Sequence, residues 1–494
     1  MHNEDREGRT VQSQRRRVAG EPYLYEAVVD KIAHMITGGT FRCGERIPSI
    51  RAMSDRLRVS VNTVAAAYVR LEDRGLVEAR PQSGFYVLPF EAAPLVARRA
   101  GAPDEVSAKE VAIAAGAMAI IRRLSDPSLV PLATGAPNSA LLPHRKLNAL
   151  LAAEVRKRPV ESTSYGSPRG SKHLRLQISR RLLTAGCSVT PEEITVTCGC
   201  VEAVTLALRA TCRPGDAVAI GSPVYYTFLN AIRQLGLKLV EIPTHPGEGL
   251  DLDVLRFALR HAPVRAVVAI LNFDNPLGCV MPDANKRRLV ELLAAEEIPL
   301  IEDDVYAELG FSAGRPTSAK AYDRAGLVLH CASVSKTLAP GYRVGWIVAG
   351  RFQAEVEALK ALTNIATPSP TQLAVAEFLA TGGYDRHLRG LRRVYAAQVA
   401  QMRAAVARHF PPGTRISQPA GGSVLWVEMP AGVDSLDLYA EALGAGIAVV
   451  PGPLFTVGDD YRNCLRLSAS TWTPRIEAAV AALGAMARGP APPP

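Results

Sequence analysis

A chain of 494 residues is too long for one small domain and carries enough apolar side chains for two or three cores. Its 48% hydrophobic and 21% charged residues, with glycine and proline scattered and no short repeat, argue against a disordered, collagen-like or solenoid protein. The formal charge of +10 suits an ordinary solvated surface, but its placement favours a polyanionic partner: Arg15, Arg16 and Arg17 are followed by Arg42, Arg46, Arg51, Arg56, Arg58, Arg70, Arg74 and Arg80.

Leu24, Val28, Ile32 and Ile36 recur every fourth residue and line one face of a first helix, ending near Gly38-Gly39. Pro48 disfavours helix just before it, and Ser49 is placed to cap a second helix with Ile50, Met53 and Leu57 inside. Val59-Ser60 is a turn. Ser60 caps a third helix that turns Val64, Tyr68 and Leu71 inward and Val61, Asn62, Thr63, Ala66 and Ala67 outward. Gly75 ends that helix, and residues 76–88 read as a hairpin about Pro81-Gln82-Ser83-Gly84. Two tightly joined helices followed by a hairpin, over residues 20–89, describe a winged helix-turn-helix. The start of its third helix would meet base edges of a double-stranded DNA operator, with Arg51 near a phosphate. A purely structural helical domain has the same pattern.

The runs Arg46-Ile47-Pro48-Ser49-Ile50-Arg51, Val59-Ser60-Val61-Asn62-Thr63-Val64 and Leu71-Glu72-Asp73-Arg74-Gly75-Leu76 resemble the N-terminal domain of the GntR family of bacterial repressors. The resemblance implies operator contacts through Arg51, Ser60, Asn62, Thr63 and the wing glycine Gly84. Val61 stands where that family usually carries arginine. A methyl–thymine contact can take the place of the missing hydrogen-bonding arm.

Residues 90–114 are expected to be a linker, being rich in alanine, proline and charge with poor helix and strand signals. Residues 115–494 follow as one larger domain, divided into a large part of about 160–385 and a C-terminal part of about 386–485. Short apolar strands alternate there with amphipathic helices: residues 194–197, 217–220, 265–271, 298–301, 327–331 and 344–348 are expected strands. Such near-continuous apolar runs imply an α/β domain with a mostly parallel central sheet covered on both faces, and ligands bind beyond the carboxyl ends of its strands.

Those ends carry Cys198-Gly199-Cys200-Val201 at a helix start, then Pro223 and Tyr225, then Asn275-Pro276, then Asp303 and Tyr306, then Ser333-Val334-Ser335-Lys336. Singly, Tyr225 could be a packed aromatic, Asp303 an acidic turn and Lys336 a surface lysine. Together on one side of a sheet they suit one chemistry. A lysine forms a Schiff base with an aldehyde, an aspartate keeps a pyridine nitrogen protonated, an aromatic ring stacks on the cofactor, and Asn275 and Tyr306 hydrogen-bond a ring oxygen. Ser333, Ser335, Arg343 and the backbone about Gly199, Cys200 and Val201 can hold a phosphate. No Gly-x-Gly-x-x-Gly follows the first strand, which disfavours a dinucleotide.

Residues 333–345, Asn275-Pro276-Leu277-Gly278 and Asp303-Asp304-Val305-Tyr306 resemble the fold-type I aminotransferases, which bind pyridoxal 5′-phosphate (PLP). The resemblance spans about residues 115–485. It implies that Lys336 bonds the cofactor covalently, Asp303 pairs with the ring nitrogen, Asn275 and Tyr306 hold the 3′-oxygen, and Tyr225 stacks on the ring. It further implies that Tyr165 reaches the phosphate of a neighbouring subunit and that Arg466 clamps a substrate α-carboxylate, although Arg466 could also be a strand-end charge. Together the two likenesses match the MocR subfamily of GntR-type regulators. That implies a homodimer, often with exchanged domains, and an amino acid or amine ligand acting with PLP as effector. A working aminotransferase with a secondary DNA-binding domain is the other reading. Gly221 departs from relatives, which often carry an acidic residue before Ser-Pro.

Eight cysteines form neither a zinc-finger nor a disulfide pattern, so free thiols in a reducing cytoplasm and no metal site are expected. The polar start has no signal-peptide core, and the apolar runs are of strand length, so no membrane association is expected.

Overall fold

The computed structural model describes residues 24–37, 40–41, 44–73, 76–88, 93–95, 107–111, 117–123, 126–312 and 314–489. Arg15 to Arg17, Gly38-Gly39, Arg42, Arg74, Gly75 and much of the expected linker lie outside them. Two compact units divide the chain, Met1–Phe90 and Glu91–Pro494.

The first unit is three helices and a hairpin: α1 (Leu24–Thr37), α2 (Ile50–Leu57), α3 (Val61–Asp73), β1 (Val77–Arg80) and β2 (Gly84–Val87). The Ala52 N–H donates to the Ser49 hydroxyl at 3.3 Å, and the Thr63 N–H to the Ser60 hydroxyl at 3.1 Å. Both serines thus satisfy helix-start donors that have no intrahelical acceptor. Arg58, in the left-handed region, closes α2 and sets the tight turn. Tyr68 donates to the Pro48 carbonyl at 2.6 Å and packs edge-on against Phe85, tying α3 to the segment before α2 and to the hairpin. Val28, Ile32, Ile36, Met53, Val64, Tyr68 and Leu71 fill the core. Ala67, expected outward, is fully buried. It completes the i, i+3, i+4, i+7 stripe of Val64, Ala67, Tyr68 and Leu71 and faces inward.

In the second unit the central sheet runs, in spatial order, Lys109–Glu110, Lys238–His245, Ala217–Ser222, Val264–Ala269, Leu300–Asp303, Val328–Ser333, Gly345–Val348 and Ile194–Thr197. The pairs from Lys238–His245 to Val328–Ser333 are parallel, while Gly345–Val348 is antiparallel to both neighbours. Lys238–His245 is absent from the expected strands, because Lys238, Glu241 and Pro243 interrupt its apolar run. Three strands, at 217–222, 300–303 and 328–333, end two residues later than their apolar runs, so Asp303 and Ser333 are terminal sheet residues.

A second sheet orders Val450–Pro451, Cys464–Ser468, Val424–Glu428, Arg415–Ile416 and Ala93–Pro94, and packs with helices Gly383–His409 and Pro474–Arg488 about Met402, Val406, Leu425, Leu465 and Leu483. The stretch 90–114, expected as linker, therefore contributes two short edge strands, Ala93–Pro94 beside Arg415–Ile416 and Lys109–Glu110 beside Lys238 and Leu239. Edge pairing uses backbone donors and acceptors and tolerates proline, so it leaves little mark in side-chain pattern.

Candidate functional site

Asp303 is buried at the end of its strand. Its Oδ1 accepts from the Cys200 thiol at 3.0 Å and from the Val305 N–H at 3.1 Å. Burial pushes its pKa up to about 6 against the pull of those two donors. Asn275 donates through Nδ2 to the Tyr306 hydroxyl at 3.3 Å, and its buried Oδ1 has no partner among the described residues. Tyr225 caps the helix Tyr226–Gln234 and packs edge-on against Phe228.

Lys336 Nζ donates to the Gly135 carbonyl at 2.7 Å and lies 5.5 Å from the centroid of the Tyr306 ring. Burial lowers its pKa, which favours the neutral, nucleophilic amine. Gly135 is where distant parts of the chain meet. A Cβ there would sit 3.6 Å from Arg466 Nη1, 3.7 Å from Lys336 Nζ and 3.9 Å from the Tyr306 hydroxyl. Gly135 carries no mark in the sequence, since its surroundings, Thr134-Gly135-Ala136-Pro137, give only a turn signal. Arg466 occupies the middle of strand Cys464–Ser468 and is 0% exposed, so it is no strand-end surface charge. Its Nη2 donates to the Ala133 carbonyl, while Nε and Nη1 are buried and have no partner among the described residues. A buried guanidinium with free donors beside an amine is a receptor for an anion.

Gly199, at φ +90°, starts the helix Cys200–Thr211. Arg343 donates to the Cys198 carbonyl at 2.8 Å and to the Ser335 hydroxyl at 3.3 Å, and the Ser335 N–H donates to the Ser333 hydroxyl at 3.3 Å. A Cβ at Gly199 would overlap the Arg343 guanidinium. Helix-start N–H groups at Cys200 and Val201, two hydroxyls and an arginine can together hold a phosphate. Tyr165, 87% exposed, is not brought into this cluster.

Glu302, Asp303 and Asp304 are all buried, and none is a solvated acidic turn. Burial works against the Asp304 charge, but Arg315 at 2.7 Å and His330 at 3.2 Å hold its pKa down to about 2. Arg315 also reaches Glu308, which pairs with Arg181 and Arg392. This ion-pair group behind the sheet ends was not expected, because its members are spread from residue 181 to 392. At Gly221 a Cβ would approach Thr244 Oγ1 to 2.6 Å. Glu241 of the adjacent strand accepts from the Ser222 hydroxyl at 3.1 Å, so an acid still meets the Ser-Pro turn.

On the first unit Arg51, Val61 (47% exposed), Asn62 and Ala66 face solvent at the start of α3 and on α2. Ser60 and Thr63 share a 2.7 Å hydrogen bond between their hydroxyls. Gly84, at φ +107°, lies under the Arg46 guanidinium, and Arg80 stacks on Tyr86 at 4.4 Å.

Residues 127–483 match the family described as aminotransferase class I and II, and residues 24–87 match the gntR family of bacterial regulatory proteins. The chain belongs to the class I and II aminotransferase family and carries a GntR-type helix-turn-helix at its start, the MocR-type architecture. It is 36% identical over 463 residues to the uncharacterized HTH-type transcriptional regulator YdcR of Escherichia coli, covering 93% of this chain and 98% of that protein. It is also 36% identical to YjiR, another uncharacterized HTH-type regulator of the same organism, covering 90% and 94%. Among solved structures, α-aminoadipate aminotransferase LysN of Thermus thermophilus, complexed with N-(5′-phosphopyridoxyl)-L-leucine, superposes with TM-score 0.70 at 29% identity over 75% of this chain and 94% of that one.

The cofactor of this chain is PLP. The site suits it: a cradle that a Cβ would fill, a lysine with lowered pKa, a buried carboxylate, and the Asn275 amide N–H beside the Tyr306 hydroxyl fit its phosphate, aldehyde, ring nitrogen and ring oxygen. Among the described residues no helix is long and apolar enough to cross a membrane.

Proposed function

We propose that this chain is a transcriptional regulator whose hold on operator DNA is set by PLP together with an amino acid or amine at the Lys336 site. The observation that carries the proposal is the fusion of a winged helix-turn-helix to a site where Lys336, Tyr306 and Arg466 converge on Gly135. When bound, PLP supplies an electrophilic aldehyde and an electron-withdrawing ring. Lys336 would present its amine to that aldehyde and would hold or move a proton at its own Nζ. Asp303 would keep the ring nitrogen protonated, Asn275 and Tyr306 would hold the ring oxygen, and Tyr225 would stack on the ring. Gly199, Cys200, Val201, Ser333, Ser335 and Arg343 take the phosphate. The partnerless donors of Arg466 receive a ligand carboxylate, with Asn275 nearby.

Arg51, Ser60, Val61, Asn62, Thr63 and Gly84 form the operator face, with Arg51 on phosphate and the start of α3 in the major groove. A homodimer accounts for Tyr165, whose exposed ring is free to serve a partner's phosphate cradle. Exposed Val201, Leu362 and Ile365 supply apolar surface for that second copy. The DNA such a regulator reads lies in a reducing cytoplasm, the compartment this reading assigns to the protein. Residues 20–89 would act as the reader of DNA and residues 115–494 as the sensor. The fused reader favours sensing over metabolic flux as the use of the retained chemistry.

The test is the absorbance spectrum of the PLP-loaded protein, wild type against Lys336→Ala, during titration with amino acids and amines. The wild type should show the band of lysine-linked cofactor and the variant should not. Ligands that shift the band define the effector class. Identical spectra in the two proteins would refute the role of Lys336.

A further inference from the structure

Cys200 holds two positions at once. It is the first residue of the helix that opens the phosphate cradle, and its side chain turns inward to Asp303. The thiol is buried, and the 3.0 Å separation from Asp303 Oδ1 is short for a sulfur donor. Burial, then the charge of Asp303, raise the thiol pKa well above its usual value, so sulfur keeps its proton and donates. Both hydrogen bonds to Asp303, from Cys200 and from the Val305 N–H, fall on Oδ1. Among the described residues Oδ2 takes none.

We infer that Cys200 is a positioning residue for the cofactor ring: its thiol holds Asp303 by one oxygen, presents the other to the ring nitrogen, and keeps their shared proton on nitrogen. The inference rests on the pairing of Asp303 with that nitrogen proposed above. The sign follows from the hydrogen bond. A donor to Oδ1 stabilises the carboxylate and makes Oδ2 a weaker base. In a carboxylate–pyridine pair the proton lies toward the stronger base, so removing the thiol donor moves it from nitrogen toward Oδ2. Lys336, Asp274, Asp304 and Cys331 also act electrostatically on Asp303 and stay unchanged in a Cys200 variant.

The experiment loads the full-length protein with PLP labelled with nitrogen-15 in the ring and reads the ring-nitrogen chemical shift at fixed neutral pH. Four proteins are compared: wild type, Cys200→Ser, Cys200→Ala and Asp303→Asn. The Ser variant keeps a donor, so its shift should stay with the wild type. The Ala variant should move toward the value of unprotonated pyridine, and the Asn variant should go furthest. Should the Ala variant fail to fold, Cys200→Val fills the same space without a donor and carries the same expectation. An Ala or Val shift equal to the wild type, with Asp303→Asn displaced, overturns the role of Cys200 alone. A wild-type shift already equal to that of Asp303→Asn overturns the Asp303 pairing on which it rests.

Discussion

Arg466 brings a guanidinium into the interior of the second unit and, among the described residues, leaves Nε and Nη1 unmatched, a cost that an anionic ligand offsets. Hydrogen bonds to charged groups are worth about 1.5–3 kcal/mol, so Arg466→Ala should weaken amino-acid binding by roughly ten- to a hundredfold. Titration followed by absorbance checks this, with a decarboxylated amine of the same side chain as control. The amine should bind the variant as it binds the wild type, and an equal loss for both ligands would make the arginine structural. Asp274 offers a prediction on pH. Its buried Oδ2 has no partner among the described residues, and burial pushes its carboxyl up from 3.8 to about 8. The folded state therefore holds a proton that the unfolded chain has released, and stability from this group falls as pH rises from about 4 to about 8. Denaturation midpoints of Asp274→Asn should lack that part of the decline, and parallel curves for the two proteins would deny it. At this scale the sequence was informative about residue types at strand ends. It was silent on Gly135, because nothing local marks a glycine whose neighbours are Lys336 and Arg466.

Helix starts shape both proposed binding surfaces. Ser60 caps α3, and losing an N-cap costs about 1 kcal/mol. Ser60→Ala should therefore lower the thermal stability of the first unit modestly and weaken operator binding further, through fraying at Val61, Asn62 and Thr63. Calorimetry and DNA titration together check this, and a loss of stability with unchanged DNA affinity would place the base-reading surface elsewhere. At the second helix start, Gly199→Ala forces a side chain at φ +90° into the Arg343 guanidinium. A residue strained in that way costs about 1–3 kcal/mol, so PLP affinity should fall roughly ten- to a hundredfold. Equilibrium dialysis measures it, and an unchanged affinity would remove this turn from the cradle. Elements with a clean period were legible: α2, α3, the hairpin and most core strands follow their apolar spacing. Ala67 was misplaced because alanine marks neither face of a helix. Lys238–His245 was missed because Pro243 and two charges break its run, and the edge strands at 93–94 and 109–110 depend on backbone pairing alone.

Across the whole chain, residues near 133–135, 199–200, 275, 303–306, 333–343 and 466 gather at one site. The motifs that name the chemistry lie in short runs and were readable. The packing that unites them spans more than three hundred residues and was not. The same distance explains why the Asp304–Arg315–Glu308–Arg181 network had no visible signature. Cofactor chemistry and a DNA reader in one chain act together when occupancy of the first changes the affinity of the second, and a ligand can do that only by favouring one of two arrangements. The direct test is fluorescence anisotropy of labelled DNA from the promoter regions flanking the protein's own gene. The DNA is titrated with wild type and with Lys336→Ala, each without additions, with PLP, and with PLP plus an amino-acid panel. The account predicts that ligands change wild-type affinity and leave Lys336→Ala unresponsive. Affinity that stays the same under every addition, or that changes equally in both proteins, would contradict it.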